Sequence, residues 1–404
     1  MKEFSEILLA DYEYELPPSA IADFPVVKRD SSKLLIYKSG VIKDGIFSQL
    51  ASNLPKRSTL ILNNTQVIEA RVFFQKTTGG LIEIFCLEPF DSENIAQSMF
   101  QKHKAQWKCF IGGASKWKPK ELLFQIVFIQ NVPVEFRARY IEKRSDYFII
   151  EFTWNTDHTF GEVLQVAGAI PLPPYIKRKA IENDAVTYQT IFAEKKGSVA
   201  APTAALHFTN YVFDTLREKN IGTSYVTLHV GAGTFKPVKT AKIADHQMHA
   251  ESFSVSIKTL NEILNAETIV AAGTTSLRSL ESLYWLGVKL MKNNLFDDVL
   301  HQWEAYYLQD SGITYKESLQ ALLHYLQEIK KDELFCRTSL LIMPGYQFKS
   351  ANALITNFHQ PRSTLLLLVG AFIGKDWEKV YNHALKNNYR FLSYGDSSLL
   401  WRQD

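Results

Sequence analysis

Cysteine is scarce in this chain. Its 404 residues hold three, Cys86, Cys109 and Cys336, and no two of them form a C-x-x-C pair. A zinc site of paired cysteines is therefore not expected. An odd count with no signal-peptide pattern points to a reducing compartment, so the expected location is cytoplasmic. Charge of one sign is also lacking. Lys and Arg number 45 against 42 Asp and Glu, a net charge of +3. That balance neither demands nor excludes a nucleic-acid partner, because local patches outweigh the total. Long hydrophobic runs are missing too. The longest, Leu365 to Ile373, contains Gly370 and is too short to cross a bilayer, so no membrane partner is expected. No low-complexity tract and no internal repeat is present.

What is present is a globular composition, 46% apolar and 13% aromatic, with length for two or three domains. One stretch stands apart: Gly197 to Phe208, GSVAAPTAALHF. Its small side chains let backbone come close to another element or to a ligand. It is either a tight packing site with a satisfied histidine or a ligand-lined wall ending in His207, with Thr203 as a contact on the way.

Along the chain, Lys28-Arg29-Asp30-Ser31-Ser32 precedes an apolar strand, and Arg29 and Asp30 are candidates for an anion or ribose contact. Leu60-Ile61-Leu62 reads as a strand ending in Asn63-Asn64-Thr65. From about 66 to 154, hairpin-like strands follow one another, with Thr77-Thr78-Gly79-Gly80 as one turn and no helical period between them. The expectation is an inserted small antiparallel β-barrel domain over 66–154, within an α/β (mixed) main domain made of 1–65 and 155–404.

Ile170-Pro171-Leu172-Pro173-Pro174-Tyr175 is a stiff loop followed by Lys177-Arg178-Lys179. Tyr175 suits stacking on a base, and Lys177 and Arg178 suit phosphate; a solvated charge run is the competing reading. Thr209 is a candidate cap for a helix over 210–219, before a strand that ends in His229 and Gly231-Ala232-Gly233. His246 and His249 are spaced i, i+3 near Glu251, without a third ligand at a metal spacing, so acid–base chemistry or base recognition is favoured over metal. A strand over 267–272 leads through Gly273-Thr274-Thr275-Ser276 into a helix carrying Arg278, a start suited to an anion. Residues 292–335 read as an elaboration, and Asn357-Phe358-His359 follows a late strand.

Taken together and in order, YELPPSAIA, RDSSKLL, LNNTQVIEAR, IPLPPYIKR, YQTIFA, GSVAAPTAALHF, TLHVGAGTFKPV, HQMHAE, GTTSLRSLES, PGYQF, ALITNFHQPRSTLLLLVGAF and YRFLSYGD resemble the S-adenosylmethionine:tRNA ribosyltransferase-isomerases of queuosine biosynthesis. The likeness runs from about residue 12 to about 398, with a gap over about 292–335. It implies a core α/β domain with an inserted small β-barrel. It also implies transfer of the ribosyl part of S-adenosylmethionine to 7-aminomethyl-7-deazaguanine at the tRNA wobble position, with rearrangement to epoxyqueuosine and release of adenine and methionine. S-adenosylmethionine is then a co-substrate, tRNA is the partner, and no permanently bound cofactor and no metal is implied. A monomer is expected.

On that resemblance His207, His249, His229 and His359 are the acid–base candidates, His207 and His249 first. Thr274, Thr275 and Ser276, beside Arg278, are expected at the methionine carboxylate, Gly231 and Gly233 at the ribose or adenine, and Lys177, Arg178 and Lys236 at tRNA phosphates. Ala205 stands where the family more usually has Gly, Ala169 where it has His, and Lys33 where it has Arg; these departures mark a divergent branch. An S-adenosylmethionine-dependent RNA methyltransferase, read from the strand before Gly231, and a non-catalytic tRNA-binding paralogue are the alternatives.

Overall fold

The computed structural model describes residues 7–76, 78–90, 95–118, 121–231, 240, 242–308 and 311–403. The fold is mixed α/β, and its largest sheet has ten strands. In spatial order these are Val299–Leu300, Glu333–Thr338, Glu251–Ser256, Gly222–Leu228, Ser58–Asn63, Thr268–Ala272, Ala353–Asn357, Ser397–Trp401, Lys33–Lys38 and Val41–Ile46. The four middle strands, Gly222–Leu228 through Ala353–Asn357, are mutually parallel.

Sequence explains that centre. Side chains alternate across a strand. Leu60, Leu62, Val270, Ala272 and Ile355 enter one apolar cluster with Phe208 and Val212. Ile61, Ala271 and Leu354 enter another with Leu277, Leu280 and Leu367. Both faces are covered, which is why these strands read as continuous apolar runs. Thr209 caps the helix Asn210–Glu218 by accepting the Val212 N–H, as its sequence position predicts.

A second sheet has seven strands, all paired antiparallel: Gly168–Ala169, Arg71–Gln75, Leu81–Pro89, Lys104–Gly112, Phe148–Trp154, Val132–Lys143 and Leu122–Ile129. It surrounds its own cluster, with Val72, Ile84, Trp107, Phe136 and Phe152. The helix Phe160–Ala167, started by a Thr159–Glu162 capping box, adds Phe160, Val163 and Leu164 to it. One helix does interrupt these strands, Ile95–Met99. Five residues are too few to print a 3.6-residue period, so the sequence pattern is silent there. A two-stranded parallel pair, Thr65–Val67 with Lys195–Ser198, lies where the chain passes between the two sheets.

The segment after 292 packs on the long helix Thr274–Asn293. Its helix Tyr315–Glu328 crosses at Gly287, where an added Cβ would overlap Ser318, side chain and carbonyl alike. Glu281, one turn and a half earlier, is fully buried. Its carboxylate accepts from Tyr346 Oη, the Lys349 and Ser350 N–H groups and Ser350 Oγ. Burial pushes its pKa up, and these donors pull it back down.

Gly287→Ala forces two helices apart and is expected to cost about 1–3 kcal/mol. Urea unfolding measures it. A loss below roughly 0.5 kcal/mol would contradict the close crossing.

Candidate active site

Strand direction decides where the motifs gather. The parallel strands end at Asn63, Leu228, Ala272 and Asn357. Ser397–Trp401 runs antiparallel to its neighbour, and Lys33–Lys38 runs parallel to Ser397–Trp401, so both begin at that same edge. Glu251–Ser256, antiparallel to Gly222–Leu228, begins there too. One edge therefore collects Arg29 to Ser32, Asn63 to Thr65, His229 to Gly231, Gly273 to Ser276, Asn357 to His359, Tyr394 to Asp396 and Ala250-Glu251. The crevice beyond the carboxyl ends of parallel strands is where α/β folds bind ligands.

Side-chain amides and hydroxyls fasten this edge. Asn63 Oδ1 accepts from the Thr65 and Leu228 N–H groups, and Nδ2 donates to Leu228 O at 2.9 Å and Thr275 Oγ1 at 3.4 Å. Ser198 Oγ accepts the Val230 N–H at 3.0 Å and donates to Ala200 O at 2.7 Å. Gln189 grips Val67 by both its backbone groups.

The four candidate histidines occupy separate places. His207 is 5% exposed. Its Nδ1 lies 2.8 Å from Ser32 Oγ and its Nε2 lies 3.4 Å from Asn357 Nδ2. Phe47 packs on its ring, with centroids 5.1 Å apart. Ser32 Oγ also lies 3.1 Å from Arg29 O, so both ring nitrogens of His207 are engaged within the protein. Burial lowers its pKa to about 4. His359 is buried as well, with Nε2 at 2.8 Å from Thr356 Oγ1 and its N–H on Tyr381 Oη; burial lowers its pKa to about 3. His229 is half-buried, and its Nδ1 lies 2.9 Å from Thr65 Oγ1. Thr65 Oγ1 also lies 3.4 Å from Lys195 O, so one hydroxyl bridges the imidazole and the strand that carries Gly197. Desolvation lowers the His229 pKa to about 4. His249 is exposed, on a loop held by Gln302, which donates to His246 O at 2.7 Å and accepts the Met248 N–H at 2.9 Å.

His229 faces a cleft of about 250 Å³ between the two sheets. Gly197, Gly231, Glu251 and Ser252 line one side, and Glu88, Phe90, Ile95 and Lys108 the other. Gly197 has φ +144°, and a Cβ there would meet Ile95 Cγ2 at 2.6 Å and His229 Nδ1 at 3.0 Å. A wider hollow of about 500 Å³ lies at the opposite edge, lined by Thr59, Thr223, Lys258 and Glu262 among others. It is shallow and holds none of the sequence motifs, and it lies at the amino ends of the parallel strands, so the smaller cleft is the better candidate.

The other candidates divide by how the chain already uses them. From Gly197 to Phe208 only Thr203 is half-buried; the rest are packed, Ala205 at 0% exposure among Phe47, Leu62 and Ile355. Arg29 donates to Gln189 O and Val186 O, and Asp30 accepts from Thr209 Oγ1. Arg178 is committed to both oxygens of Asp184, to Asp23 O and to the ring of Phe24. Tyr175 Oη meets Ser393 Oγ at 2.6 Å. Lys177 is exposed. Arg278 pairs with Glu251, whose other oxygen accepts the Gly231 N–H at 3.1 Å. Gly233 and Lys236 lie outside the described residues. Glu251, Asn63 and Gln302 were not singled out by spacing. Glu251 had one signal, its place two residues after His249; Gln302 had none, because its partners are 54 and 56 residues away.

Three imidazoles held neutral by burial take up protons when the chain unfolds. Their folded pKa values lie below the ordinary 6.5, so their contribution to stability is complete above pH 6.5 and is lost as pH falls toward about 4. Urea unfolding at pH 5.0 is expected to give a stability lower than at pH 7.5 by up to about 2 kcal/mol for each histidine. His359→Gln should shrink that difference. A pH-independent stability across this window would contradict the burial of His207 and His359.

Known proteins resemble this chain over almost its whole length. Residues 9–400 match the family model described as "Queuosine biosynthesis protein". A protein of Nitrosospira multiformis named S-adenosylmethionine:tRNA ribosyltransferase-isomerase is 34% identical over 408 aligned residues, covering 98% of this chain and 99% of its own. Proteins of the same name from an Azoarcus species and a Sulfurihydrogenibium species are each 36% identical, covering 98% and 97% of this chain and 98% and 99% of their own. A solved S-adenosylmethionine tRNA ribosyltransferase from Thermotoga maritima is 27% identical, covers 96% of this chain and 99% of its own, and has a TM-score of 0.46. On the match across nearly its whole length, this chain belongs to the queuosine biosynthesis protein family.

Proposed function

We propose that this protein transfers and isomerises the ribosyl moiety of S-adenosylmethionine onto 7-aminomethyl-7-deazaguanine at the tRNA wobble position, giving epoxyqueuosine with release of adenine and methionine. The observation that carries the reading is the full-length similarity to relatives bearing that name, in a chain whose shared motifs fall on one sheet edge.

In this reading S-adenosylmethionine is a co-substrate and lies in the cleft beside Gly231, while the wobble base enters past the antiparallel sheet. The protein acts as a cytoplasmic monomer without a resident cofactor. Residues 66–154 form the inserted small barrel domain, and 1–65 with 155–404 form the core; the separate apolar cluster of the seven-stranded sheet supports a second unit, one that also takes in Phe160, Val163 and Leu164 from beyond 154. His229, neutral and lining the cleft, takes the proton from the ribose carbon next to the sulfonium, and Thr65 Oγ1 at its Nδ1 orients the ring. His249, on the exposed loop that leads to Glu251, acts on the amine that attacks or the adenine that leaves. His207 and His359 orient the edge as neutral imidazoles, because each is closed in by protein. Lys177 meets a tRNA phosphate, and Arg178 shapes the loop that carries Lys177.

The test is mass spectrometry of tRNA carrying the deazaguanine precursor after incubation with protein and S-adenosylmethionine, with adenine followed in parallel. The expected result is the epoxyqueuosine mass with one adenine per product. A methylated base without adenine would assign a methyltransferase, and bound but unchanged tRNA a non-catalytic paralogue. His229→Ala is expected to lower turnover by roughly 10²–10⁴. A variant within threefold of wild type removes His229 from the chemistry.

A further inference from the structure

The helix Thr274–Asn293 starts without a side-chain cap, as does Asp376–Lys386. Helices at Phe160–Ala167, Asn210–Glu218, Ile257–Leu264, Tyr315–Glu328 and Thr364–Ile373 each start under a Ser or Thr side chain that accepts an N–H: Thr159, Thr209, Ser256, Thr314 and Ser363. At 274 the cap position is Gly273, which has no side chain to offer. Yet this start is buried, Thr274 at 8% exposure and Ser276 at 0%. Buried first-turn N–H groups without an acceptor are costly, and the helix dipole adds to their pull on an anion.

Arg278 supplies the second, independent observation. It sits four residues after Thr274, on the same helix face, and a helical side chain leans back toward the amino end. Its residue exposure is 8%. Nη1 is spent on Glu251 Oε2 at 2.6 Å. Nε and Nη2 are buried and have no hydrogen-bond partner among the described residues. These two atoms share one edge of the planar guanidinium, and their N–H bonds run side by side. That edge is the fork that takes both oxygens of a carboxylate or a phosphate. Leaving two charged donors unmatched inside a protein is expensive. Glu251 fixes the guanidinium from its other side and lines the cleft, so the fork is oriented before any ligand arrives.

We propose that the amino end of helix Thr274–Asn293, with the Nε–Nη2 fork of Arg278, is a carboxylate site that reads the α-carboxylate of the amino-acid end of S-adenosylmethionine. The inference rests on the reading of that molecule as the co-substrate. A tRNA phosphate has the same bidentate chemistry, and the experiment separates the two. The decarboxylated form of S-adenosylmethionine keeps the adenosyl group and the sulfonium and lacks only the carboxylate. Both are titrated against wild type and Arg278→Lys, which keeps a cation opposite Glu251 but has no fork.

Wild type is expected to bind the decarboxylated form at least tenfold more weakly. Arg278→Lys is expected to bind S-adenosylmethionine at least tenfold more weakly, with the decarboxylated form within twofold of its wild-type affinity. Equal binding of the two ligands by wild type overturns the proposal and leaves the co-substrate reading standing. Weakened tRNA binding with the ligand discrimination intact overturns it in favour of phosphate. Absence of S-adenosylmethionine binding by wild type overturns both. Should Arg278→Lys fail to fold, Glu251→Gln takes its place: it keeps the fork and loosens its anchor, so S-adenosylmethionine binding should fall threefold or more and the decarboxylated form should not. An equal loss for both ligands overturns the proposal.

Discussion

The amide of Asn63 holds together the point on which the site depends. There the central strand stops and the chain turns toward the second sheet. A sheet ending inside a protein leaves backbone groups without ladder partners, and each must be met. Asn63 meets the Thr65 N–H and both backbone groups of Leu228, and reaches Thr275 on the long helix. Asn64 beside it accepts from Thr227 and donates to Glu194. Two adjacent asparagines thus join three segments that are far apart in sequence, and the Leu228 that Asn63 holds leads directly into His229 and Val230, which line the cleft.

From that point the rest of the arrangement follows. Thr65–Val67 pairs with Lys195–Ser198, which delivers Gly197 against His229 and Ile95. A glycine is required there because the two sheets close to within side-chain contact across its missing Cβ. Ser198 then ties the same segment to Val230. Beyond Gly231, Glu251 accepts its N–H and holds Arg278. The cleft is therefore walled by groups whose orientation is set by hydrogen bonds made within the protein, a preorganisation that suits stabilising charge which appears only during reaction.

Much of this was legible in sequence, for reasons that also mark its limits. Leu60-Ile61-Leu62 reads as a buried strand because both faces are covered, and Thr209 reads as a cap because capping is local. The alternating runs between 71 and 154 announce antiparallel strands. What the sequence hides is long-range partnership. Arg178 looks like a free cation until Asp184 and Phe24 are seen to occupy it. His207 looks reactive until Ser32, 175 residues away, and Asn357, 150 residues away, are seen to enclose it. The small residues around it look like room for a ligand, and protein fills that room: Ala205, one methyl larger than the family's usual glycine, is absorbed among Phe47, Leu62 and Ile355. Glu281 appears within a helical motif, and nothing local predicts that it collects the loop at Tyr346 to Ser350.

The central claim is that chemistry takes place at the carboxyl edge of the parallel strands, in the cleft shared with the antiparallel sheet. A crystal structure with S-adenosylhomocysteine, which lacks the reactive sulfonium and so stays intact, tests it most directly. The account predicts the ligand beside Gly231, His229 and Glu251. A ligand in the hollow lined by Thr59, Thr223, Lys258 and Glu262, at the other edge of the same sheet, would contradict it.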